Sequence, residues 1–381
     1  MRVLYDASAM HGHSGIEEYS RELIRGLLRQ CPDVEPVLLS TFRRQTDVAA
    51  LFDGARLPEV VPSLPNRLML GEHLKFITRT LKLRAMARAS ATSDLTHVLS
   101  PMDDPRALKR FVVTIHDLFP IDDAFSYDGD MEAMFSRTIG WYVQYSRRII
   151  VQSTYVATTI VERFPNVEDK IRMIPIAASN QFRRVPLDEE LIESMHVRID
   201  RPPVIFVGRV DERKNIPMIL EAYARVSSSV REQHPLVLAL SGTTTDVNAF
   251  KTRYAQLIRL ASAQILVAIA TPALVQLMNI AQCMVFPSKA EGFGLPVLEA
   301  MQCGCAVITS DRSSLPEVAA DAAILVDPTS SESIATAIEE LCTKQAVHAS
   351  YVEAGLRRAA QFTWDRTAER TAEVYREACE G

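Results

Sequence analysis

Short runs of apolar, largely β-branched residues alternate along the chain with longer stretches whose apolar positions recur every three or four residues. The first pattern reads as strands buried on both faces, the second as helices lying against them. In the first half, strands are expected at Arg2–Asp6, Glu35–Ser40, Thr96–Ser100, Val112–His116, Arg148–Gln152 and Arg172–Pro175. In the second half they are expected at Val204–Val207, Leu236–Leu240, Ile265–Ala268, Cys283–Phe286, Ala306–Thr309 and Ala323–Val326. Strands alternating with helices predict parallel sheets covered on both sides, so each half predicts one Rossmann-like sheet in an α/β chain. The joint is expected within Ala178–Pro203, where Pro186, Pro202 and Pro203 flank a short acidic helix. Trp364–Cys379 reads as a final helix with Thr363 placed to cap it. The expected domains are therefore 1–180 and 181–362, with 363–381 as a closing helix.

Length agrees with this division, because 381 residues exceed one ordinary core. Hydrophobic content of 48% and charged content of 23% are those of a soluble globular protein. A net charge of −5 argues against bulk nucleic-acid binding. Cys31, Cys283, Cys303, Cys305, Cys342 and Cys379 form no C-x-x-C and no zinc-type pair of pairs, and their scatter suits a reducing cytosol. Met1–Asp6 reads as a strand rather than a leader, since the apolar run is short and Asp6 ends it. The longest apolar stretch, near Ile265–Val275, contains Pro272 and falls well below the ~20 residues needed to span a bilayer. The expected location is cytoplasmic.

One segment adds a second option. Across Arg67–Arg88, Leu70, Leu74, Ile77 and Leu81 recur at helical spacing. Lys75, Arg79 and Lys82 make an adjacent stripe, with Arg84 and Arg88 nearby and only Glu72 opposing. This is either a core-facing helix with a solvated basic flank or a peripheral docking face for an anionic membrane.

Candidate chemistry concentrates just after strands, where open parallel sheets bind ligands. Glu291-Gly-Phe-Gly-Leu-Pro-Val-Leu-Glu299 follows the strand Cys283–Phe286 and leads into a helix near Leu295. Gly292 and Gly294 allow close backbone approach, and Pro296 suits a first helical turn. Such a helix start offers N–H groups and a positive dipole end to an anion. On residues alone, Glu291 and Glu299 are equally a loop acid and a surface helix acid. Gly208-Arg209 leaves an earlier strand end, and Lys214 precedes a helix near Ile216; this is a diphosphate grip or a solvated charged turn. His116-Asp117 ends a strand of the first half, and Gly15 opens a helical stretch running from Ile16 to Leu28. No G-x-G-x-x-G follows a strand, no Walker motif or G-x-S-x-G occurs, and no Asp-x-Asp follows an expected strand, the one instance being Asp128-Gly129-Asp130. These absences lower dinucleotide, ATP, metal-bridged diphosphate and serine-hydrolase readings.

The stretch from Pro287 and Ser288 through Glu291-Gly292-Phe293-Gly294-Leu295-Pro296 to Glu299-Ala300-Met301 resembles the donor-site signature of family 4 retaining nucleotide-sugar glycosyltransferases. Arg209, Lys214 and Asn215 match that family's G-R-x-x-x-x-K-N pattern. The resemblance implies a GT-B fold: two Rossmann-like domains facing across a cleft, with the C-terminal helix returning to the first. It implies an acceptor-binding first domain and a nucleotide-sugar-binding second domain. Arg209 and Lys214 would grip the diphosphate. Glu291 and the backbone around Phe293-Gly294 would hold the sugar, Glu299 the ribose, and the helix start near Gly294–Leu295 the leaving diphosphate, with Gly292 also in the donor site. Gly15 and Gly208 would lie near the donor, and His116 would contact the transferred sugar. No cofactor and no metal are expected. Domain closure would accompany donor binding.

The stretches Gly15-Ile16-x-x-Tyr19, His116-Asp117-Leu118 and Arg213-Lys214-Asn215 are similar to bacterial mannosyltransferases of polysaccharide, O-antigen and lipopolysaccharide assembly. They favour GDP-mannose as donor and a glycan or lipid-linked saccharide as acceptor. UDP-glucose and UDP-N-acetylhexosamine remain alternatives, as do an epimerase or phosphorylase and an inert nucleotide-sugar-binding scaffold. Two departures stand out: Glu17-Glu18 where that subset has Gly-Arg, and Ile176-Ala177 where many members read Asn-Gly.

Overall fold

The computed structural model describes residues 1–6, 15–40, 52, 58–62, 75–101, 106, 108–122 and 129–380. The chain forms two units: Met1–Ile176 with Thr363–Gly381, and Ala177–Phe362.

The first unit is built on seven strands: β1 (Arg2–Asp6), β2 (Glu35–Ser40), β3 (Glu59–Pro62), β4 (Leu95–Val98), β5 (Phe111–Thr114), β6 (Arg148–Val151) and β7 (Ile171–Met173). They pair in the order β3-β2-β1-β4-β5-β6-β7, every pairing parallel. Val3, Leu4 and Tyr5 are all fully buried, as a continuous apolar run in a covered sheet requires. The order steps outward from β1 in one direction and from β4 in the other, which makes the gap between them a topological switch point.

The C-terminal helix, Trp364–Glu380, packs on the first helix, Gly15–Gln30. A Cβ at Gly26 would stand 2.8 Å from the Ala368 methyl and 2.9 Å from the Trp364 carbonyl, so glycine sets how closely these helices approach. Thr363 Oγ1 accepts from the Arg366 N–H as cap. Trp364, Ala368, Ala372, Val374 and Tyr375 are buried. Each large apolar side chain buried this way contributes roughly 1.5–3 kcal/mol. Exposed pairs such as Arg29–Asp365 contribute only about 0–1 kcal/mol. Burial therefore holds the helix, and the ion pairs around it tune its position.

The second unit has β8 (Val204–Arg209), β9 (Leu236–Ser241), β10 (Gln264–Val267), β11 (Cys283–Phe286), β12 (Ala306–Ser310) and β13 (Ile324–Val326). Their order is β10-β9-β8-β11-β12-β13, again all parallel, with the switch point between β8 and β11. The acidic helix Glu189–Ser194 forms in the joint, capped by Asp188, whose Oδ1 accepts from the Leu191 N–H. The preceding strand-less segment is strapped to the helix Thr271–Ile280. Asn279 Oδ1 accepts from the Val185 N–H, and Gln276 exchanges bonds with the backbone of Pro186 and Asp188.

Several expectations shift. β3 was not anticipated, because Glu-Val-Val-Pro offers too few apolar residues to stand out. β5 ends at Thr114, so His116 lies beyond the strand rather than in it. The basic stripe changes most. The described helix there is Lys75–Thr92, and Lys82 turns to Asp6 at the end of β1, Nζ to Oδ2 2.6 Å. Lys82 is therefore paired and largely covered rather than presented to a membrane. Residues 67–74, with Leu70, Glu72 and Leu74, and the side chains of Lys75, Ile77, Arg79 and Leu81, lie outside the described residues. Among the described residues no helix is long and apolar enough to cross a membrane. All six cysteines are free thiols.

Candidate active site

The two motif loops of the second unit leave adjacent strands, β8 and β11, at the switch point. After β8, Asp211 starts a short 3-10 turn by accepting from the Arg213 N–H (2.8 Å) and pairing with the Arg213 guanidinium (3.0 Å). Asn215 ends that turn in the left-handed region at φ 59°, a conformation asparagine tolerates better than most residues. Its buried amide donates to the carbonyls of Pro287 (3.2 Å) and Pro328 (2.7 Å). The Lys289 N–H donates to the Arg213 carbonyl at 2.8 Å, which stitches one motif loop to the other.

This scaffold sets Lys214 Nζ 2.7 Å from Glu291 Oε1 and 4.8 Å from the centre of the Phe286 ring. The paired side chains are only 13% and 10% exposed. Removing one partner of so enclosed a pair strands the other charge, at a cost of about 3–5 kcal/mol. Arg209 ends β8 and is exposed. Gly208 lies against the ring of Phe206, where a Cβ would come within 2.8 Å.

The glycine-rich loop is oriented from behind. Ser314 Oγ donates to the carbonyls of Glu291 (2.8 Å) and Phe293 (2.9 Å), and Ser313 Oγ accepts from the Glu291 N–H (3.0 Å). Gly294 sits at φ 107°, and a Cβ there would meet Leu315 Cδ2 at 2.7 Å, so conformation and space both demand glycine. The helix Leu295–Gln302 then begins without a side-chain cap and with Pro296 in its first turn. A helix start of this kind presents N–H groups and a positive dipole end. Phe293 is buried, Gly292 and Leu295 are half-buried, and Glu299, one turn into the helix, is half-buried.

His116 belongs to the first unit. Its Nε2 donates to the Leu99 carbonyl (2.9 Å), so the neutral ring accepts at Nδ1 from Gln152 Nε2 (2.8 Å). Burial lowers its pKa, with the two hydrogen bonds opposing, and the ring is held neutral. The edge of Tyr19 meets it, ring centres 5.0 Å apart. Tyr19 joins a buried polar chain. Tyr5 donates to Tyr375 (2.9 Å), Tyr375 bonds His97 Nδ1 (2.7 Å), His97 Nε2 bonds Thr114 (2.8 Å), and Thr114 bonds Tyr19 (2.9 Å). Burial pushes the His97 pKa down to about 3, so this chain is uncharged at neutral pH. Gly15 is the exposed first residue of its helix. Glu18 pairs with Arg21 at 2.6 Å on the same helix.

The structure thus brings Lys214, Glu291, Gly292, Phe293, Gly294 and Leu295 into one constellation and sets Arg209 and Glu299 on the same two motif segments. Ser313, Ser314 and Phe286 were not singled out from sequence. Their part depends on contacts with loops distant in the chain, and no local pattern announces it.

Residues 13–177 match the family model described as Glycosyltransferase Family 4, and residues 188–358 match Glycosyl transferases group 1. The serotype-specific mannosyltransferase WbdA of Escherichia coli is 27% identical over 263 residues, 68% of this chain and 32% of that protein. The aligned part thus spans about a third of that relative's length. The O-antigen chain mannosyltransferase B of E. coli is 25% identical over 384 residues, covering 95% of this chain and 96% of the relative. In three dimensions the chain is similar to sucrose-phosphate synthase of Thermosynechococcus elongatus, with a TM-score of 0.75 at 21% identity over 99% of this chain and 98% of the other. That likeness shows the GT-B fold.

Proposed function

We propose, from the premise that the chain belongs to the family 4 glycosyltransferases, a family of retaining hexosyltransferases, that it transfers mannose from GDP-mannose to a saccharide acceptor. The observation that carries the reading is the enclosed Lys214–Glu291 contact beside an uncapped helix start at the switch point of the second sheet. The likeness to two E. coli mannosyltransferases, one along almost the whole chain, favours mannose.

In this reading the diphosphate lies against Arg209, Lys214 and the start of the helix Leu295–Gln302. As the glycosidic bond breaks, negative charge grows on the leaving phosphate. Fixed cations and N–H dipoles favour that change most, because they need no reorganisation. Glu291 accepts from hydroxyls of the transferred sugar, and its bond from Lys214 holds it in place. Glu299 accepts from the ribose. The acceptor hydroxyl attacks from the face the nucleotide leaves, and its proton passes to the departing phosphate oxygen, which retains the anomeric configuration. His116, with both ring nitrogens already bonded, walls the sugar rather than acting as a base. The residues placed in these roles require no metal ion.

The test is a thermal-shift and turnover panel of GDP-, UDP-, ADP- and dTDP-sugars. GDP-mannose should give the largest stabilisation and should be consumed. Stabilisation by a UDP-sugar alone would move the donor assignment, stabilisation without consumption would indicate an inert nucleotide-sugar-binding scaffold, and no stabilisation by any nucleotide sugar would overturn the reading.

A further inference from the structure

His116 is tied at both ring nitrogens to its own unit: Nε2 donates to the Leu99 carbonyl, and Nδ1 accepts from Gln152. Neither nitrogen is left to bond a hydroxyl of a sugar, so the ring can sort sugars only by where it stands. Hydrogen bonds tolerate a broad range of angles at the acceptor, and these two leave the ring some freedom to tilt. Tyr19 limits that tilt, its ring standing 85° to the imidazole with centres 5.0 Å apart. Tyr19 also meets Trp364 of the C-terminal helix, with ring centres 6.0 Å apart.

Tyr19 is buried, and a buried phenol needs a partner. Its partner is Thr114 Oγ1 at 2.9 Å, and the bonds behind Thr114 run in one sense. Tyr5 donates to the Tyr375 oxygen, which leaves the Tyr375 hydrogen for His97 Nδ1. The neutral His97 ring then carries its hydrogen on Nε2 and donates it to Thr114 Oγ1. Thr114, accepting there, turns its own hydrogen to the Tyr19 oxygen. The C-terminal helix thus selects the tautomer of His97 through Tyr375. Tyr5, His97, Thr114 and Tyr375 are fully buried. A broken link leaves a buried polar group unpaired, and the groups downstream must move to pair again. A fully satisfied network of this kind specifies one arrangement of the side chains in it.

We infer that this chain is a positioning device: Tyr375, His97 and Thr114 hold Tyr19 against His116, and the C-terminal helix thereby sets which hexose the first unit admits. The inference rests on the reading that His116 walls the transferred sugar. It adds Tyr19, Thr114, His97 and Tyr375 as positioning residues that act through His116.

The test uses the full-length protein. Wild type, Thr114→Val, Thr114→Ser, Tyr375→Phe and His116→Ala are compared on GDP-mannose, on its epimer GDP-glucose and on GDP alone. If the donor panel selects another nucleotide, two epimeric sugars on that nucleotide and its free diphosphate take their place. The quantity read is the ratio of kcat/KM for the preferred sugar to kcat/KM for its epimer, with thermal melting measured alongside. Thr114→Val keeps the shape of the side chain and removes its hydroxyl, whereas Thr114→Ser keeps the hydroxyl. His116→Ala should lower the ratio, and Thr114→Val and Tyr375→Phe should lower it roughly fivefold or more by misplacing His116. Thr114→Ser should stay within about twofold of wild type, and so should the GDP Kd of every variant, because the nucleotide is assigned to the second unit. A purely structural role would lower kcat together with melting temperature and leave the ratio where it was. An unchanged ratio in Thr114→Val and Tyr375→Phe, beside a lowered one in His116→Ala, would overturn the relay and leave the sugar contact standing. An unchanged ratio in His116→Ala would overturn the contact and the relay with it. NMR of the histidine rings gives a second readout that needs no turnover. His97 should carry its hydrogen on Nε2, and Thr114→Val should shift the His116 ring signals while Thr114→Ser keeps them in place. His116 signals indifferent to Thr114→Val would overturn the relay even in a protein that consumes no nucleotide sugar.

Discussion

A single hydroxyl, Ser314 Oγ, donates to two carbonyls of the glycine-rich loop and so decides which way that loop turns its polar groups. Ser314→Ala leaves both buried carbonyls without this donor, a loss of about 1–3 kcal/mol. Chemical denaturation should show that loss, and turnover should fall with it. A variant that keeps full stability and full kcat would show that the loop needs no such support. Lys214→Ala should lower kcat by roughly 10²-fold, the scale of removing one transition-state donor. Because it also strands Glu291, a stability loss should accompany it. Lys214 and Glu291 were legible in the sequence because each sits in a short motif beside its own strand end. Ser314 was not, because nothing in Asp-Arg-Ser-Ser-Leu-Pro says that its hydroxyl reaches back to a loop some twenty positions earlier. Lys82 shows the same limit. Sequence leaves its stripe open between a solvated flank and a membrane face, and only the fold reveals Asp6 opposite.

At the scale of elements, the C-terminal helix couples the first unit's stability to pH. Arg172 Nε bonds Glu377 at 2.9 Å and Arg148 Nε at 3.1 Å, while Arg376 grips Asp33. These bonds lower the pKa of both acids, chiefly through Arg172 for Glu377 and Arg376 for Asp33. A depressed folded pKa stabilises above the unfolded value and loses that contribution as pH falls through the folded one. The ordinary values are 4.5 for Glu377 and 3.8 for Asp33, so the loss belongs below about pH 4.5. Glu377→Gln should be slightly less stable at pH 7 and show a shallower decline between pH 5 and 3, read as melting temperature against pH. Parallel acid profiles for variant and wild type would remove Glu377 from the account. The helix itself was readable from its periodicity and Thr363. What it packs on was not, because Gly26, which admits the close approach, looks like any helix-weakening glycine until Trp364 lies against it.

At the scale of the molecule, two cores imply two melting transitions. Each unit has its own sheet and its own buried apolar interior, and single domains of this kind unfold cooperatively. A nucleotide bound at the motif loops of the second unit should raise that unit's transition, by about 2.7 kcal/mol of stabilisation at a hundredfold excess over Kd. Calorimetry with and without GDP checks this. A shift confined to the transition that Tyr375→Phe also moves would place the nucleotide in the wrong unit, because Tyr375 lies in the first unit's polar chain. The alternation of strands and helices made both sheets readable, since period and length distinguish the two element types. The strand order was not readable, because it depends on which edges pair and not on any one segment.

The first unit is completed by a helix that is translated only after the whole of Ala177–Phe362. On the ribosome, then, the sheet made second can close first. The sheet made first must wait with the groove beside Gly26 and the hydroxyl of Tyr5 open to solvent and to chaperones. A premature stop anywhere before Trp364 would release a polypeptide half finished and half exposed, a substrate for quality control rather than a shortened enzyme.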